Sequence, residues 1–142
     1  MLIRTVLRGK GTDVATVRPD ATVTQLLAVL AERNIGAVVV SEDGATIIGI
    51  VSERDVVRRL ADRGASVLDL PVSAIMTSEV HTCSPEANVD ELRRTMTNHR
   101  VRHVPVTREG RLAGIVSIGD VVKSTIEELE TENEALVGYI HS

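Results

Sequence analysis

Two short motifs in this chain place an aspartate three residues after a serine: Ser52 with Asp55, and Ser117 with Asp120. A serine at the start of a helix accepts a hydrogen bond from a free backbone N–H, and an acid in the first turn complements the helix dipole. The same residues could instead bind a ligand. A helix N-terminus offers N–H donors to phosphate, and a carboxylate one turn in can accept charge-assisted bonds from two ribose hydroxyls. The spacing therefore fits helix capping or nucleotide binding.

Other reactive side chains form weaker combinations. His99 and His103 straddle a helix end and a strand start, and no acid or cysteine completes a metal site. Cys83, the only cysteine, follows His81 in a strand pattern without an orienting acid, which favours a packed thiol over a nucleophile. The chain has no Gly-x-Ser-x-Gly elbow and no P-loop. We expect no catalytic activity, no metal and no required cofactor.

The two Ser–Asp motifs belong to a unit that the chain contains twice. The tripeptide Gly-Ile-Val precedes the serine in both copies, and a longer pattern, Val-x-Thr-x-x-Pro-x-Ala-x-Val-x-x-Leu, begins at Val14 and again at Val80. Self-similarity of this kind predicts a repeat architecture. The serine and aspartate are identical in both copies although the two residues between them differ, which favours a functional role over capping alone.

The first unit is predicted to fold as β-α-β-β-α, in the α/β (α+β) class. Thr22 with Gln25 forms a capping box, and Gly64 suits a helix C-terminus. Residues 37–40 are a β-branched run without polar alternation, so both faces of that strand are expected to be buried. The predicted elements are strands at 14–17, 37–40 and 46–51 and helices at 22–34 and 52–63.

The second unit repeats this order. Asn88 is the predicted helix cap, and Pro105 indicates a short or edge strand because proline cannot donate to a ladder. Outside the two units, residues 1–13 are predicted to be a lead-in with a flexible turn at 9–11, and residues 65–79 a connection. The predicted elements of the second unit are strands at 80–83, 104–106 and 112–116 and helices at 88–96 and from Ser117 onward.

The last helix continues well beyond its counterpart in the first unit. Its apolar residues are spaced alternately four and three apart, with one asparagine among them and glutamates outside, as in a coiled-coil seam. An amphipathic helix lying on its own domain is the alternative. The residues of this stripe are Val122, Ile126, Leu129, Asn133, Leu136 and Ile140.

Composition limits the partners and the compartment. With 142 residues and 43% apolar residues, the chain can form one domain or two small halves sharing a core. Phe and Trp are absent and the net charge is −4, so neither base stacking nor phosphate attraction favours nucleic acid as a partner. No apolar run reaches the roughly 18 residues of a membrane span, and the first residues do not resemble a signal peptide. We expect a cytoplasmic protein that does not bind membranes.

The doubled Gly-h-x-Ser/Thr-x-x-Asp signature, where h is apolar, resembles that of tandem CBS domains, the cystathionine β-synthase repeats that form a Bateman module. The resemblance covers the chain from Val14 to about Ile126. It implies two repeats, residues 14–64 and 80–126, related by pseudo-twofold symmetry and packed as one stand-alone module. Residues 127–142 would form a C-terminal helical extension.

The resemblance also implies two clefts between the repeats that bind AMP, ATP, NAD(H) or S-adenosylmethionine. Asp55 and Asp120 would hold the ribose, with Ser52 and Ser117 beside them. The residues leading into the middle strand of each repeat would line the adenine and phosphate region, together with a position in the connection. These residues are Ile35, Gly36, Ala37, Val101, Arg102, His103 and Thr77.

The two repeats differ most where the ligand phosphate would lie. Repeat two has Arg100, Arg102 and His103 before its middle strand, and cations there suit a phosphate, although Arg100 could equally be a solvated loop charge. Repeat one could use Arg54 or Arg58 instead. The preferred hypothesis is a non-catalytic adenosine-ligand sensor that forms a homodimer and signals to a partner protein. The alternative is a constitutive dimeric scaffold that has lost ligand binding.

Overall fold

The computed structural model describes residues 1–141. Two short 3₁₀ helices, Gly64–Asp69 and Val72–Ala74, lie in the connection. The remaining elements, in chain order, are α1 (Ile3–Lys10), β1 (Thr16–Val17), α2 (Val23–Arg33), β2 (Ala37–Val40), β3 (Gly49–Ser52), α3 (Glu53–Arg63), α4 (Val89–His99), β4 (His103–Arg108), β5 (Arg111–Ser117) and α5 (Ile118–His141).

Repeat one has the predicted β-α-β-β-α order. Its strands form one sheet in the order β1-β2-β3, with β1 parallel to β2 and β2 antiparallel to β3. All four residues of β2 are buried, as the unbroken β-branched run predicted. The capping box between Thr22 and Gln25 is present, and Asn34 ends α2 in the left-handed conformation. Local sequence signals therefore explain this repeat.

Repeat two lacks a full first strand, because β4 contains a proline. The strand predicted at 80–83 is reduced to one bridge, in which Cys83 N–H donates to Pro105 O and Thr107 N–H donates to Cys83 O. In repeat one, Val39 pairs with Thr16 at the corresponding point. Pro105 has no N–H to extend the ladder on that side. In the described chain β4 thus has a full ladder only with β5, in agreement with the predicted edge position.

Residues 3–10 are helical, which corrects the prediction of a flexible turn at 9–11. Gly9 and Lys10 belong to α1, and the chain leaves the helix at Gly11, where φ is +95°. The side chains of Ile3 and Leu7 are buried in the core of repeat two. Their spacing of one helical turn is the sequence signal, but the helix is too short for that pattern to be distinctive.

The segment that precedes each repeat in the sequence packs on the other repeat. Residues 1–13 precede repeat one but bind repeat two, where Val89 N–H donates to Met1 O and Ile3 N–H donates to Ala87 O. The connection binds repeat one in the same way, through bonds from Val23 to Leu70 and from Val72 to Ala21. The matched contacts express the pseudo-twofold relation between the repeats.

Each repeat has its own hydrophobic core rather than a share in a common one. The prediction of two halves sharing a core is therefore wrong. The core of repeat one includes Leu26, Val38 and Val51 and is completed by Val67, Val72 and Ile75 of the connection. The core of repeat two is completed by Ile3 and Leu7 of α1 and otherwise consists of Val89, Leu92, Met96, Val104, Val106, Val116 and Val121.

The glycine that begins each Ser–Asp signature packs against one of the two segments that precede the repeats, residues 1–13 and the connection. We call these the exchanged leading segments, because each precedes one repeat and packs on the other. A Cβ at Gly49 would lie 2.5 Å from Met76 Sδ and 3.0 Å from Thr77 O, and a Cβ at Gly114 would lie 2.8 Å from Leu7 Cδ2. Carbon and sulfur atoms cannot approach so closely without displacement. Glycine therefore lets the leading segment pack across the strand that carries the motif, against the backbone of Thr77 at Gly49 and against the buried Leu7 side chain at Gly114.

Helix α5 extends beyond its repeat, and its apolar stripe is not covered by the rest of residues 1–141. Its 24 residues span about 36 Å. The stripe residues Ile126, Leu129, Leu136 and Ile140 are between 50% and 70% exposed. The alternative prediction, a helix lying on its own domain, is thus wrong. None of the helices at residues 1–141 combines the length and the apolar character needed to cross a membrane.

Candidate ligand-binding cleft

Both Ser–Asp motifs are capping boxes at the start of a helix. Ser52 Oγ accepts from Asp55 N–H at 3.3 Å, while Asp55 Oδ2 accepts from Ser52 N–H at 2.8 Å and from Ser52 Oγ at 3.0 Å. Ser117 and Asp120 repeat this arrangement, with distances of 3.2, 2.8 and 3.0 Å. The predicted capping role is confirmed. All of these bonds to the carboxylates end on Oδ2, so capping leaves Oδ1 of each aspartate available.

The N-termini of α3 and α5 offer fewer free donors than the sequence suggested. Glu53 N–H donates to Gly36 O at 2.9 Å, and Ile118 N–H donates to Arg102 O at 2.8 Å. Together with the bonds of Asp55 and Asp120 to the serines, two of the first three N–H groups of each helix are already satisfied. The charge for binding an anion must therefore come largely from side chains.

A lysine from α1 reaches the second motif. Lys10 Nζ lies 2.7 Å from Asp120 Oδ2 and donates to Ile115 O at 2.8 Å. The partners are 110 positions apart in sequence, and sequence analysis did not identify Lys10. No cation of residues 1–141 lies within ion-pair distance of Asp55. The two motifs thus match in backbone geometry but differ in their charged surroundings.

This ion pair favours the ionised form of the carboxyl group. Burial by itself would raise the pKa of Asp120, but the hydrogen bond from Lys10 and the backbone N–H of Ser117 outweigh it and hold the pKa below its ordinary value. Asp120 is therefore ionised at neutral pH. An ionised carboxylate is the form that accepts hydrogen bonds from hydroxyl groups.

The imidazole of His103 is expected to be neutral at neutral pH. Burial lowers its pKa most, the charge of Lys10 lowers it further, and the opposing effects of Asp120 and Glu53 do not restore it. Its ring lies close to repeat one: a Cβ at Gly36 would be 3.6 Å from His103 Cε1. His103 therefore offers the cleft a neutral ring rather than the cation that the sequence suggested.

A cleft of about 440 Å³ opens beside Lys10, with walls from both repeats. It brings together five of the predicted site residues, namely Ile35, Gly36, Ala37, His103 and Ser117, while Asp120 adjoins it through Ser117 and Lys10. Sequence analysis did not predict the remaining lining residues as site residues, although Ile115 lies within the second signature and Val14 begins the repeated pattern. These lining residues are Lys10, Asp13, Val14, Ala15, Arg33, Asn34 and Ile115.

The other predicted site residues do not line this cleft. Thr77 exchanges backbone hydrogen bonds with Ile50 at 2.9 and 3.0 Å, and its side chain is exposed, as are those of Arg54 and Arg102. Ser52 and Asp55 occupy the positions in repeat one that Ser117 and Asp120 occupy in repeat two. A ligand role for these residues, and for Val101, stays a prediction about a second cleft.

The other candidate reactive side chains are a partly buried cysteine and two stacked histidines. Burial raises the pKa of Cys83 to about 11, so its thiol is protonated at neutral pH and a poor nucleophile. The ring of His99 stacks on His81 with centroids 4.0 Å apart. Among residues 1–141 there is no cluster of three or more side chains that could hold a metal ion.

The family model for the CBS domain matches residues 10–62 and 72–127. The chain belongs to the CBS domain family. The matched segments overlap the two predicted repeats, whose boundaries at 14–64 and 80–126 stay predictions. The family accounts for the doubled signature, and the exchanged leading segments show how this CBS pair is held together.

Individual relatives support the same assignment. The CBS domain-containing protein CBSX3, mitochondrial, of Arabidopsis thaliana is 35% identical over 94% of this chain and 68% of its own length. The crystal structure of the CBS-domain containing protein ATU1752 from Agrobacterium tumefaciens superposes with a TM-score of 0.85 at 45% identity, covering 88% of this chain and 99% of that one. The CBS domain pair of protein MJ0100, described in complex with 5′-methylthioadenosine and S-adenosyl-L-methionine, has a TM-score of 0.80 at 21% identity, covering 90% and 98%.

Proposed function

We propose that this CBS pair is a non-catalytic regulatory module that binds an adenosine-containing ligand between its repeats and signals to a partner. One observation carries the proposal: the cleft beside Asp120 has walls from both repeats and adjoins an ionised carboxylate. The MJ0100 pair, which shares the fold, is described with two adenosine derivatives bound. That likeness supports the ligand class, whose candidates here are AMP, ATP, NAD(H) and S-adenosylmethionine.

Each part of the ligand has a candidate contact. The Asp120 carboxylate would accept hydrogen bonds from the ribose hydroxyls, next to the hydroxyl of Ser117. The apolar stretch Ile35–Ala37 and the neutral His103 ring would enclose the adenine, since an uncharged flat surface suits a nucleobase. Lys10 and Arg33 are the cations that line the cleft, and they would face the ligand phosphate.

The signal would arise from the two-repeat construction of the cleft. A ligand that contacts both walls binds one relative placement of the repeats more tightly than others, and it shifts the population toward that placement. Since each repeat is closed by the other's leading segment, such a shift also reaches residues 1–13 and the connection. A partner protein could recognise either. We place this protein and its partner in the cytoplasm, although the relative CBSX3 is named as mitochondrial.

The exposed stripe of α5 favours a homodimer. Ile126 and Ile140 occupy positions equivalent to Asn133, and Leu129 and Leu136 lie between them, which is the a/d pattern of a parallel two-stranded coiled coil with one polar a position. In the single chain these apolar side chains are largely exposed. The same stripe is the observation behind the second candidate function, a constitutive dimeric scaffold without ligand.

A thermal-shift experiment with AMP, ATP, NAD(H) and S-adenosylmethionine tests the proposal. A ligand that binds only the folded chain stabilises it by about 2.7 kcal/mol at a hundredfold excess over its dissociation constant, which is readily seen as a higher melting temperature. Mass spectrometry of the natively purified protein would reveal a co-purified nucleotide that masks such a shift. If no ligand raises the melting temperature and none co-purifies, the scaffold function replaces the sensor.

A further inference from the structure

The ammonium group of Lys10 binds the same Asp120 oxygen that accepts the helix-cap bonds, while the other oxygen stays available. Asp120 Oδ2 accepts from Lys10 Nζ at 2.7 Å, from Ser117 N–H at 2.8 Å and from Ser117 Oγ at 3.0 Å. Three donors fill the coordination of one carboxylate oxygen. A ribose that uses both oxygens of Asp120 must therefore displace Lys10, since the two donors from Ser117 are fixed by the helix cap.

The backbone of Lys10 stays beside the cleft when its side chain is displaced. Helix α1 is anchored by Ile3 and Leu7, which are 0% and 6% exposed in the core of repeat two. The lysine side chain is long and flexible, so its ammonium can turn within the cleft that it lines. An anion of the ligand in that cleft would replace the lost carboxylate as its partner, and such charge-assisted hydrogen bonds are the strong ones.

We propose, building on the function proposed above, that Lys10 determines the ligand specificity of this cleft by moving from Asp120 to the phosphate of an adenine nucleotide. After the exchange the carboxylate accepts from the ribose hydroxyls and the ammonium donates to the phosphate, so both charges remain paired. Adenosine and 5′-methylthioadenosine offer the ammonium no anion. S-adenosylmethionine has a sulfonium cation where a nucleotide has its first phosphate, and its carboxylate lies farther along the methionine chain. The cleft beside Asp120 therefore selects AMP, ATP or NAD(H) over S-adenosylmethionine.

Repeat one has no counterpart of this ion pair. Leu7 lies over Gly114 as Met76 lies over Gly49, but the helix that leads from Leu7 to Lys10 has no counterpart after Met76. Within residues 1–141 Asp55 has no cation at ion-pair distance. Selection for an anionic ligand thus belongs to the Asp120 side alone.

Calorimetric titration of the parent chain and Lys10→Met with AMP and with adenosine tests this role. The methionine keeps an unbranched side chain and removes the charge. We expect the AMP affinity to fall about 10- to 150-fold, the value of one charged hydrogen bond. The adenosine affinity should rise, because Asp120 no longer has to be released from the lysine. Arg8→Met removes an exposed cation from the same helical turn and should leave both affinities unchanged.

Two further variants separate the charge exchange from other effects. Lys10→Arg keeps the cation and should keep the preference for AMP over adenosine. In an Asp120→Asn background, Lys10→Met should no longer raise the adenosine affinity. Equal losses of AMP and adenosine affinity, or an AMP affinity that ignores Lys10, would overturn the proposal and leave the adenosine-sensor function standing. A parent chain that binds neither ligand would overturn both.

Discussion

At the residue scale, Asp55 and Asp120 combine a structural role with a proposed ligand role. Each accepts two bonds from its serine through Oδ2, which fixes the start of a helix. The other oxygen takes no part in the cap. Capping and the proposed ribose binding are therefore compatible in one side chain.

The protonation of His103 should make stability depend on pH. Its pKa is lowered in the folded chain from an ordinary value of 6.5, so below about pH 6.5 the unfolded chain binds a proton that the folded chain does not. The free energy of unfolding should consequently fall as the pH is lowered through that region. His103→Gln should reduce this dependence. Urea unfolding between about pH 7.5 and pH 5.5 measures it, and parallel profiles for the parent and the variant would contradict the assignment.

Some residues of the candidate site could be predicted from the sequence, and others could not. The serines and the aspartates could be predicted from the doubled signature, and the stretch Ile35–Ala37 from the resemblance to CBS repeats. Lys10 could not, because its contact with Asp120 joins positions 110 apart and depends on how α1 packs. The neutral state of His103 likewise follows from burial in the folded chain, which the sequence does not specify.

At the element scale, the exchanged leading segments depend on a glycine in each signature strand. The Cβ added by Gly114→Ala would lie 2.8 and 3.0 Å from two Leu7 methyl carbons, and that added by Gly49→Ala would lie 3.0 Å from the backbone oxygen of Thr77. Overpacking of this kind costs about 1–3 kcal/mol. We expect each variant to be destabilised by that amount in urea unfolding.

Gly138→Ala is the matched control for these variants. Gly138 lies within α5, and a Cβ there would meet nothing within 4 Å. Alanine in a helix interior is favoured over glycine by about 0.5–1 kcal/mol, so the control should gain stability or be neutral. If Gly49→Ala and Gly114→Ala behave like the control, the leading segments do not pack across the strands as described.

The secondary structure was predictable where the signal is local. Capping residues and unbroken β-branched runs gave α2 and β2 within a residue or two. The strand at 80–83 was predicted by its similarity to 14–17, yet it is reduced to a bridge because Pro105 lies in the neighbouring strand. The effect of that proline depends on which side of β4 faces the first strand, and this is a tertiary property.

At the scale of the whole molecule, α5 is the element that the single chain leaves uncovered. Truncation after Thr125 removes most of the apolar stripe and should weaken a homodimer, because the a/d contacts of a coiled coil would be lost. Sedimentation of the parent and the truncated chain over a range of concentrations measures this. A truncated chain that is as dimeric as the parent at low concentration would exclude α5 as the seam.

The central claim is that the two signature aspartates hold an adenosine ligand. Calorimetric titration of AMP into the parent, Asp55→Asn, Asp120→Asn and the double variant tests it most directly. Asparagine keeps the shape of aspartate and an oxygen that can accept from the serine N–H in the capping box, so the folds should stay nearly as stable. Each variant should lose about 1.5–3 kcal/mol of binding free energy at its own cleft, the value of charged hydrogen bonds to the ribose. A double variant that binds AMP as tightly as the parent would contradict the claim.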